Sequence, residues 1–231
     1  MTEAISMRAS SYRFCLALLA AFSLGALAQG ASPEINEQYR DPDYSRWQRN
    51  LETEGREVYE KRLAIVDAVG LRAGQSVADI GAGTGLFTRL FAARVGPQGR
   101  VYAVDIARSF VEGNLQRARA ARLQNVVGIV STQTDTRLEE NSIDVAFVCD
   151  AYHHFEDPKT MLASIRRALR PGGALVVVDF ERIPGTSPDW IFKHVRGGKD
   201  EFRREIEAAG FRFAEEVKLM RENYFLRFTR G

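Results

Sequence analysis

The chain has 231 residues, 45% hydrophobic and 27% charged, which suits one domain with an additional segment rather than two full domains. A formal charge of +2 gives no reason to expect nucleic acid or an acidic membrane as a partner, and a small molecule is the expected one.

Residues 1–28 read as a signal peptide outside the fold. Arg8 and Arg13 precede the apolar run Phe14–Ala28. Spanning a bilayer takes roughly 20 apolar residues, and this run is shorter. It ends in Ala26-Leu27-Ala28, the small-x-small pattern of a signal-peptidase site, and Gln29 opens a polar stretch. The expected destination is the periplasm, with an uncleaved N-terminal membrane anchor as the alternative. Cleavage removes Cys15 and leaves Cys149 alone, so no internal disulfide can form. Cys149 ends an apolar run and reads as a buried, inert thiol.

Residues 29–70 read as a lead-in followed by a cap helix. The lead-in, 29–45, carries Pro33 and Asp41-Pro42 and few aliphatics, and is expected to be mobile. From Trp47 to Val69 apolar residues recur at helical intervals, and Gly70 stops the pattern. Residues 71–231 alternate strands with helices. Ser76–Ile80 predicts a buried strand, Leu86–Val95 a helix ended by Gly96-Pro97, Arg100–Asp105 a second strand and Arg108–Arg122 a helix. Val126–Val130 and Ile143–Cys149 follow as strands, then a helix over Pro158–Leu169, a turn at Pro171-Gly172-Gly173 and a strand over Ala174–Phe180. The C-terminus predicts a helix over Asp200–Ala209 and two successive strands, Phe211–Leu219 and Asn223–Thr229. Short, almost continuously apolar strands separated by helices imply an α/β fold. The expectation is a Rossmann-like three-layer α-β-α sandwich, with a mostly parallel seven-stranded sheet and an antiparallel C-terminal hairpin strand.

The turn Asp79-Ile80-Gly81-Ala82-Gly83-Thr84-Gly85 joins the first strand to its helix. Gly81 and Gly83 permit a tight turn and the close approach of a ligand, and Gly85 lets the next helix pack close. The spacing is G-x-G-x-G. A dinucleotide turn usually needs a further glycine where Leu86 stands, so a nicotinamide-linked oxidoreductase is disfavoured. The second strand ends at Asp105, whose carboxylate can accept both hydroxyls of an adenosine ribose.

These residues resemble the class I S-adenosylmethionine-dependent methyltransferases, in particular the type 11 branch that includes the quinone C-methyltransferases. The resemblance runs from about Ala73 to Phe180. Its landmarks are VADIGAGTG at Val77–Gly85, VYAVD at Val101–Asp105, SIDVAF at Ser142–Phe147, AYHHFEDP at Ala151–Pro158 and LRPGG at Leu169–Gly173. It implies S-adenosyl-L-methionine as cofactor. Asp79, Gly81, Ala82, Gly83 and Gly85 then lie beside its methionine moiety, with Asp150 at the same site; Asp105 holds the ribose and Ile106 packs on the adenine. The family usually carries an acidic residue after the third strand for the adenine amino group. Here Thr132 or Gln133 offers a neutral acceptor, or Asp135 reaches it with a shifted loop.

The histidines His153, His154 and His194 all follow the fourth strand, where a parallel sheet places its ligands. Each is a candidate acid or base for the acceptor, since an imidazole titrates near neutrality; the same rings could instead shape the pocket. No His-x-x-x-His spacing supports a metal, and none is expected. Tyr152, Trp190 and Arg196 are candidate substrate contacts. Trp190 and Arg196 lie in the long connection after the fifth strand, and such connections often bind or cover ligands. Tyr39, Tyr44 and Trp47 are placed to close over the same site. The sequence thus predicts methyl transfer to a small-molecule acceptor, on an oxygen, nitrogen or carbon atom. The competing reading is a non-catalytic binder of the same adenosine-type ligand in the cell envelope.

Overall fold

Strands that are apolar along their whole length can be satisfied only in a sheet covered on both faces, and such a sheet forms. The structure, a computed structural model, describes Met1 and residues 30–231; the signal-peptide reading of 1–28 otherwise lies outside the described residues. Among the described residues seven strands form one sheet: β1 (Ser76–Ile80), β2 (Arg100–Asp105), β3 (Val126–Val130), β4 (Ile143–Cys149), β5 (Leu169–Phe180), β6 (Phe211–Glu216) and β7 (Asn223–Arg230). Their order is β3-β2-β1-β4-β5-β7-β6. The first five are mutually parallel. β7 runs antiparallel to both its neighbours and lies between β5 and β6, so the antiparallel strand is inside the sheet and β6 is its edge.

Side chains alternate between the two faces with the period of a strand. On one face Ala78, Ile80, Ala146, Val148, Leu175 and Val177 join a core with Leu162 and Ile165 of α7 (Pro158–Ala168) and Phe202 and Ile206 of α9 (Lys199–Ala208). On the other, Val77, Val145, Phe147, Val176 and Val178 pack on Phe87 and Phe91 of α5 (Leu86–Val95) and on Val66 and Val69 of α4 (Arg62–Val69). The helix α6 (Arg108–Ala120) covers β2 and β3. Among the described residues no helix is long and apolar enough to cross a membrane.

Three segments depart from the sequence reading. Residues 30–45 form the short helix α1 (Pro33–Asn36), a 3-10 turn over Glu37–Tyr39 and the start of α2 (Tyr44–Leu51). They are tied down, because Ala31 N donates to Phe155 O at 2.9 Å and Asn36 is buried. The helical pattern beyond breaks into α2, α3 (Glu57–Glu60) and α4, with Gly55 at φ +88° in the break. The Pro171-Gly172-Gly173 stretch is no separate turn. β5 begins at Leu169, paired with Ile143, and resumes at Ala174 opposite Val145. The intervening residues are accommodated as an irregularity within the strand.

Phe147 of β4 is fully buried, its ring centroid 4.9 Å from that of Phe87 and 5.0 Å from that of Phe91. Phe147→Ala is expected to cost about 3–5 kcal/mol. Urea denaturation should show a lower midpoint at unchanged slope, and an unchanged midpoint would contradict this packing.

Candidate functional site

The sheet's crossover direction reverses between β1 and β4, and a crevice opens there beyond the carboxyl ends of the strands. It holds a cavity of about 530 Å³, within the range usual for small-molecule and cofactor sites.

The glycine turn forms its floor. Gly81, Gly83 and Gly85 have φ of +71°, +50° and +74°. Two of them leave no room for a side chain. A Cβ on Gly81 would lie 2.5 Å from Ala151 Cβ, and one on Gly85 would lie 1.5 Å from Asn114 Oδ1. The close approach at Gly85 is therefore to α6, where Asn114 donates to Gly83 O at 2.7 Å and braces the turn. Asp105 is pinned against the same turn: its carboxylate accepts from Gly83 N and from Ala107 N, each at 2.9 Å. Burial pushes its pKa up to about 6, against these backbone hydrogen bonds. Asp79 accepts from Thr88 Oγ1 at 2.6 Å, and burial pushes it up to about 7.

Asp79, Gly81, Ala82, Gly83, Asp105 and Ile106 all line the cavity, as do Gln133 and Asp150. Gly85 and Thr132 are outside the lining. Thr132 Oγ1 instead accepts from Thr134 N and Asp135 N, closing its own loop. Asp135 is held away by Ser164, Arg137 N and Arg167. Of the three adenine candidates only Gln133 reaches the cavity; its Nε2 donates to Glu156 at 3.0 Å.

At the opposite end the loop after β4 and the helix α8 (Asp189–His194) bring the three histidines together. All three line the cavity, with ring centroids 4.1 Å (His153–His154), 5.1 Å (His153–His194) and 4.9 Å (His154–His194) apart. His153 Nδ1 is 2.7 Å from Asp179, and His154 Nδ1 is 2.8 Å from Asn36 Oδ1. Burial, reinforced by the neighbouring imidazoles, lowers His154 to about 2. Burial also lowers His194, with His153 adding to it. Both rings are uncharged near neutrality. Cys149 also lines the cavity, and burial drives its thiol well above the usual range, so it stays protonated.

Trp190, half exposed, stands edge-on to Phe180 at 5.2 Å and lines the cavity. The other two candidate substrate contacts turn inward, which corrects the sequence reading. Tyr152 is fully buried, and its hydroxyl donates to Glu205 Oε1. Arg196 forms a two-point pair with the same Glu205, at 2.7 and 3.0 Å, and its guanidinium lies over Tyr152 and Phe202. Glu205, Tyr152 and Arg196 satisfy one another inside the core, as buried charges must.

The N-terminal segment supplies the roof. Tyr39 and Trp47 line the cavity with rings 4.8 Å apart, and Tyr39 meets His154 edge-on at 4.8 Å. Tyr44 donates to Thr84 O at 2.8 Å, fastening the segment to the glycine turn without lining the cavity. Sequence reasoning missed three further residues. Arg56 donates to Asp150 and, at 2.8 Å, to Leu51 O. Glu52 accepts from Thr84, Arg89 and Arg117, locking the roof to α5 and α6. Asn36 donates to His154 O and Glu156. Arg and Glu are common on exposed helix faces, so only the fold distinguishes these.

A methyltransferase domain family (Methyltransf_11) matches residues 78–177. The ubiquinone/menaquinone biosynthesis C-methyltransferase UbiE of Hahella chejuensis is 34% identical over 123 residues, 53% of this chain and 49% of that protein. An uncharacterized 37.1 kDa protein in transposon TN4556 of Streptomyces fradiae is 36% identical over 129 residues, 56% of this chain and 34% of that one. The chain thus spans half or less of the length of these relatives. A SAM-dependent methyltransferase from Aquifex aeolicus superposes with a TM-score of 0.73 at 23% identity, over 83% of this chain and 100% of that one. A geranyl diphosphate C-methyltransferase from Streptomyces coelicolor, solved with Mg2+, geranyl diphosphate and S-adenosyl-L-homocysteine, gives 0.61 at 15% identity, over 78% and 88%. Residues 78–177 thus match a methyltransferase domain family, and the seven-stranded order is the fold shared with these solved methyltransferases.

Proposed function

We propose that this chain transfers the methyl group of S-adenosylmethionine to a small, largely apolar acceptor. The observation that carries the reading is the open glycine turn with Asp105 pinned beneath it on the cavity floor. The cofactor supplies an electrophilic methyl group on a sulfonium, already a good leaving group. The protein's task is then to align acceptor and methyl group and to exclude water.

On this reading Asp79 and the glycine turn hold the methionine end, and Asp105 accepts the ribose hydroxyls. Ile106 lies under the adenine, and Gln133 meets its amino group. The acceptor occupies the end walled by Phe180, Trp190 and the histidines, where flat apolar surfaces favour a planar or hydrocarbon-bearing molecule. Tyr39 and Trp47 cover it. Incubating the chain with methyl-labelled S-adenosylmethionine and a metabolite extract should move label into a small product. Binding of NAD with no binding of S-adenosylmethionine would refute the reading.

Ionised Asp105 accepts hydroxyls and attracts the cationic cofactor, whereas its protonated form does neither as well. With a free-state pKa of about 6, ionisation is completed as pH rises, and affinity rises with it. Asp79, at about 7, acts in the same direction. Calorimetry from about pH 5 to about 8 should therefore show tightening binding with proton release. Asp105→Asn should weaken binding about tenfold to a hundredfold near neutrality. Affinity that ignores both pH and this substitution would remove Asp105 from the role.

The reading also includes export, on the strength of Arg8, Arg13 and the apolar run ending in Ala26-Leu27-Ala28. Mass spectrometry of the chain from the envelope fraction of a bacterial host should give Gln29 as the first residue. A chain retaining residues 1–28 would overturn cleavage.

A further inference from the structure

Three imidazoles meet on the acceptor wall, and their hydrogen bonds fix what two of the rings offer. His153 Nδ1 is engaged by Asp179 Oδ1 at 2.7 Å, and Nε2 is buried without a partner among the described residues, in a residue 1% exposed. A carboxylate accepts, so Nδ1 carries a hydrogen, and in the uncharged ring Nε2 is a lone pair free for a ligand bond. For His154 the tautomer follows from Asn36. The amide nitrogen already donates to His154 O at 3.0 Å and to Glu156 Oε1 at 2.8 Å, so the oxygen facing His154 Nδ1 is the acceptor. His154 Nδ1 therefore carries its hydrogen, and Nε2 is again a bare lone pair.

Neither Nε2 can donate to the other, although the two ring centroids are 4.1 Å apart. His194 completes the group. One ligand nitrogen from each of the three rings lies within 4.8 Å of the others. A cation among three ring nitrogens this close can be ligated by all of them after a small closure. The geometry points to a three-histidine site for a divalent transition-metal ion of the zinc class, set into the acceptor end of the cavity.

Imidazole suits zinc, copper, iron or nickel, whereas magnesium and calcium demand oxygen ligands. Three histidines with one position open to a cavity form the pattern of a catalytic site rather than a closed structural one. The surrounding bonds fit that pattern. Asp179 orients His153 and is itself held by Phe180 N at 2.8 Å and His153 N at 3.1 Å. This is the carboxylate–histidine arrangement that sets ring orientation and basicity in metal sites. Tetrahedral ligation with bonds of about 2.1 Å needs nitrogens about 3.4 Å apart, a closure of about 1.4 Å at most from the observed spread. His194, half-buried at the end of a six-residue helix, is placed to supply it. The sequence shows no metal spacing because the ligands come from two separate elements.

The open position faces the space assigned to the acceptor, and an ion there binds an acceptor hydroxyl or thiol as its anion, releasing the proton to solvent. That assignment of acceptor class rests on the methyl-transfer reading; the metal site does not. The test titrates chelator-treated full chain with Co2+, following the visible ligand-field bands, and then competes with Zn2+. The expected result is a tetrahedral spectrum saturating at about one equivalent. His194→Ala should abolish it, and Asp179→Asn should weaken Co2+ binding about 10–100-fold. Thermal melting of the metal-free variants checks their folding, and His194→Ala keeps the test valid if His153→Ala does not fold. No ligand-field spectrum in the natural chain, or one unchanged in His194→Ala and Asp179→Asn, overturns the site and leaves the rings as acid–base or packing groups. S-adenosylmethionine calorimetry on the metal-free sample is scored separately. Cofactor binding without Co2+ binding removes only the metal site; Co2+ binding without cofactor binding removes only the methyl-transfer reading.

Discussion

Four aspartates stand at or just past the carboxyl ends of four adjacent parallel strands: Asp79 on β1, Asp105 on β2, Asp150 after β4 and Asp179 on β5. All are buried or nearly so. A carboxylate withdrawn from water must find partners, and each of these finds different ones. Asp105 takes the backbone of the glycine turn, and Asp79 takes a hydroxyl of the following helix. Asp150 takes Arg56 from the roof and Asn223 from β7 at 2.7 Å. Asp179 takes an imidazole. On the proposed reading, the division of the cavity into a cofactor floor, a roof and an acceptor wall follows from which partner each acid recruits.

The roof is more than a cover. Arg56 and Glu52 are contributed by one short segment, and they reach in opposite directions across the cavity mouth. Arg56 is tied to the acceptor-side loop through Asp150, and Glu52 to the cofactor-side helices through Arg89 and Arg117. Burial of the Glu52 carboxyl raises its pKa, but the hydrogen bond from Arg117 and the charge of Arg89 outweigh this and bring it below the usual range. It is therefore ionised throughout the range in which Asp105 titrates. Opening the roof would expose both ends of the cavity and separate oppositely charged, partly buried groups. Such an opening would carry an electrostatic cost as well as a loss of apolar contact.

The parallel strands, their helices and the glycine turn with Asp105 were legible in the sequence because each is local. A strand's apolar run and a turn's glycines record their own geometry within a few residues. The roof contacts were not legible, because Asn36 meets His154 across 118 residues and Arg56 meets Asp150 across 94. Tyr152 was misread for a different reason. A 3-10 turn has about three residues per revolution, so Tyr152, His153 and His154 point in directions about 120° apart. The two histidines face the cavity and the tyrosine is turned into the core, where Glu205 awaits it. Composition identifies such a loop as functional without saying which of its neighbours is structural.

The same loop makes the two ends of the cavity interdependent. Asp150 adopts φ +48°, a left-handed conformation that a non-glycine residue holds only when its surroundings impose it. Here they do: Asp150 N donates to Val178 O at 2.9 Å, and its side chain is shared between Arg56 and Asn223. One residue later Ala151 lies so close to Gly81 that a single added carbon there would collide with it. Two residues beyond that, His153 is fixed to Asp179 through both its backbone and its ring. The loop touching the cofactor turn at Ala151 is thus the loop that orients the acceptor-side imidazoles. Both ends of this short stretch are held, Ala151 against Gly81 and His153 by Asp179, which makes it rigid. If the chain performs the proposed methyl transfer, whose rate depends on aligning an acceptor with a methyl group, that rigidity is the contribution the fold is best placed to make.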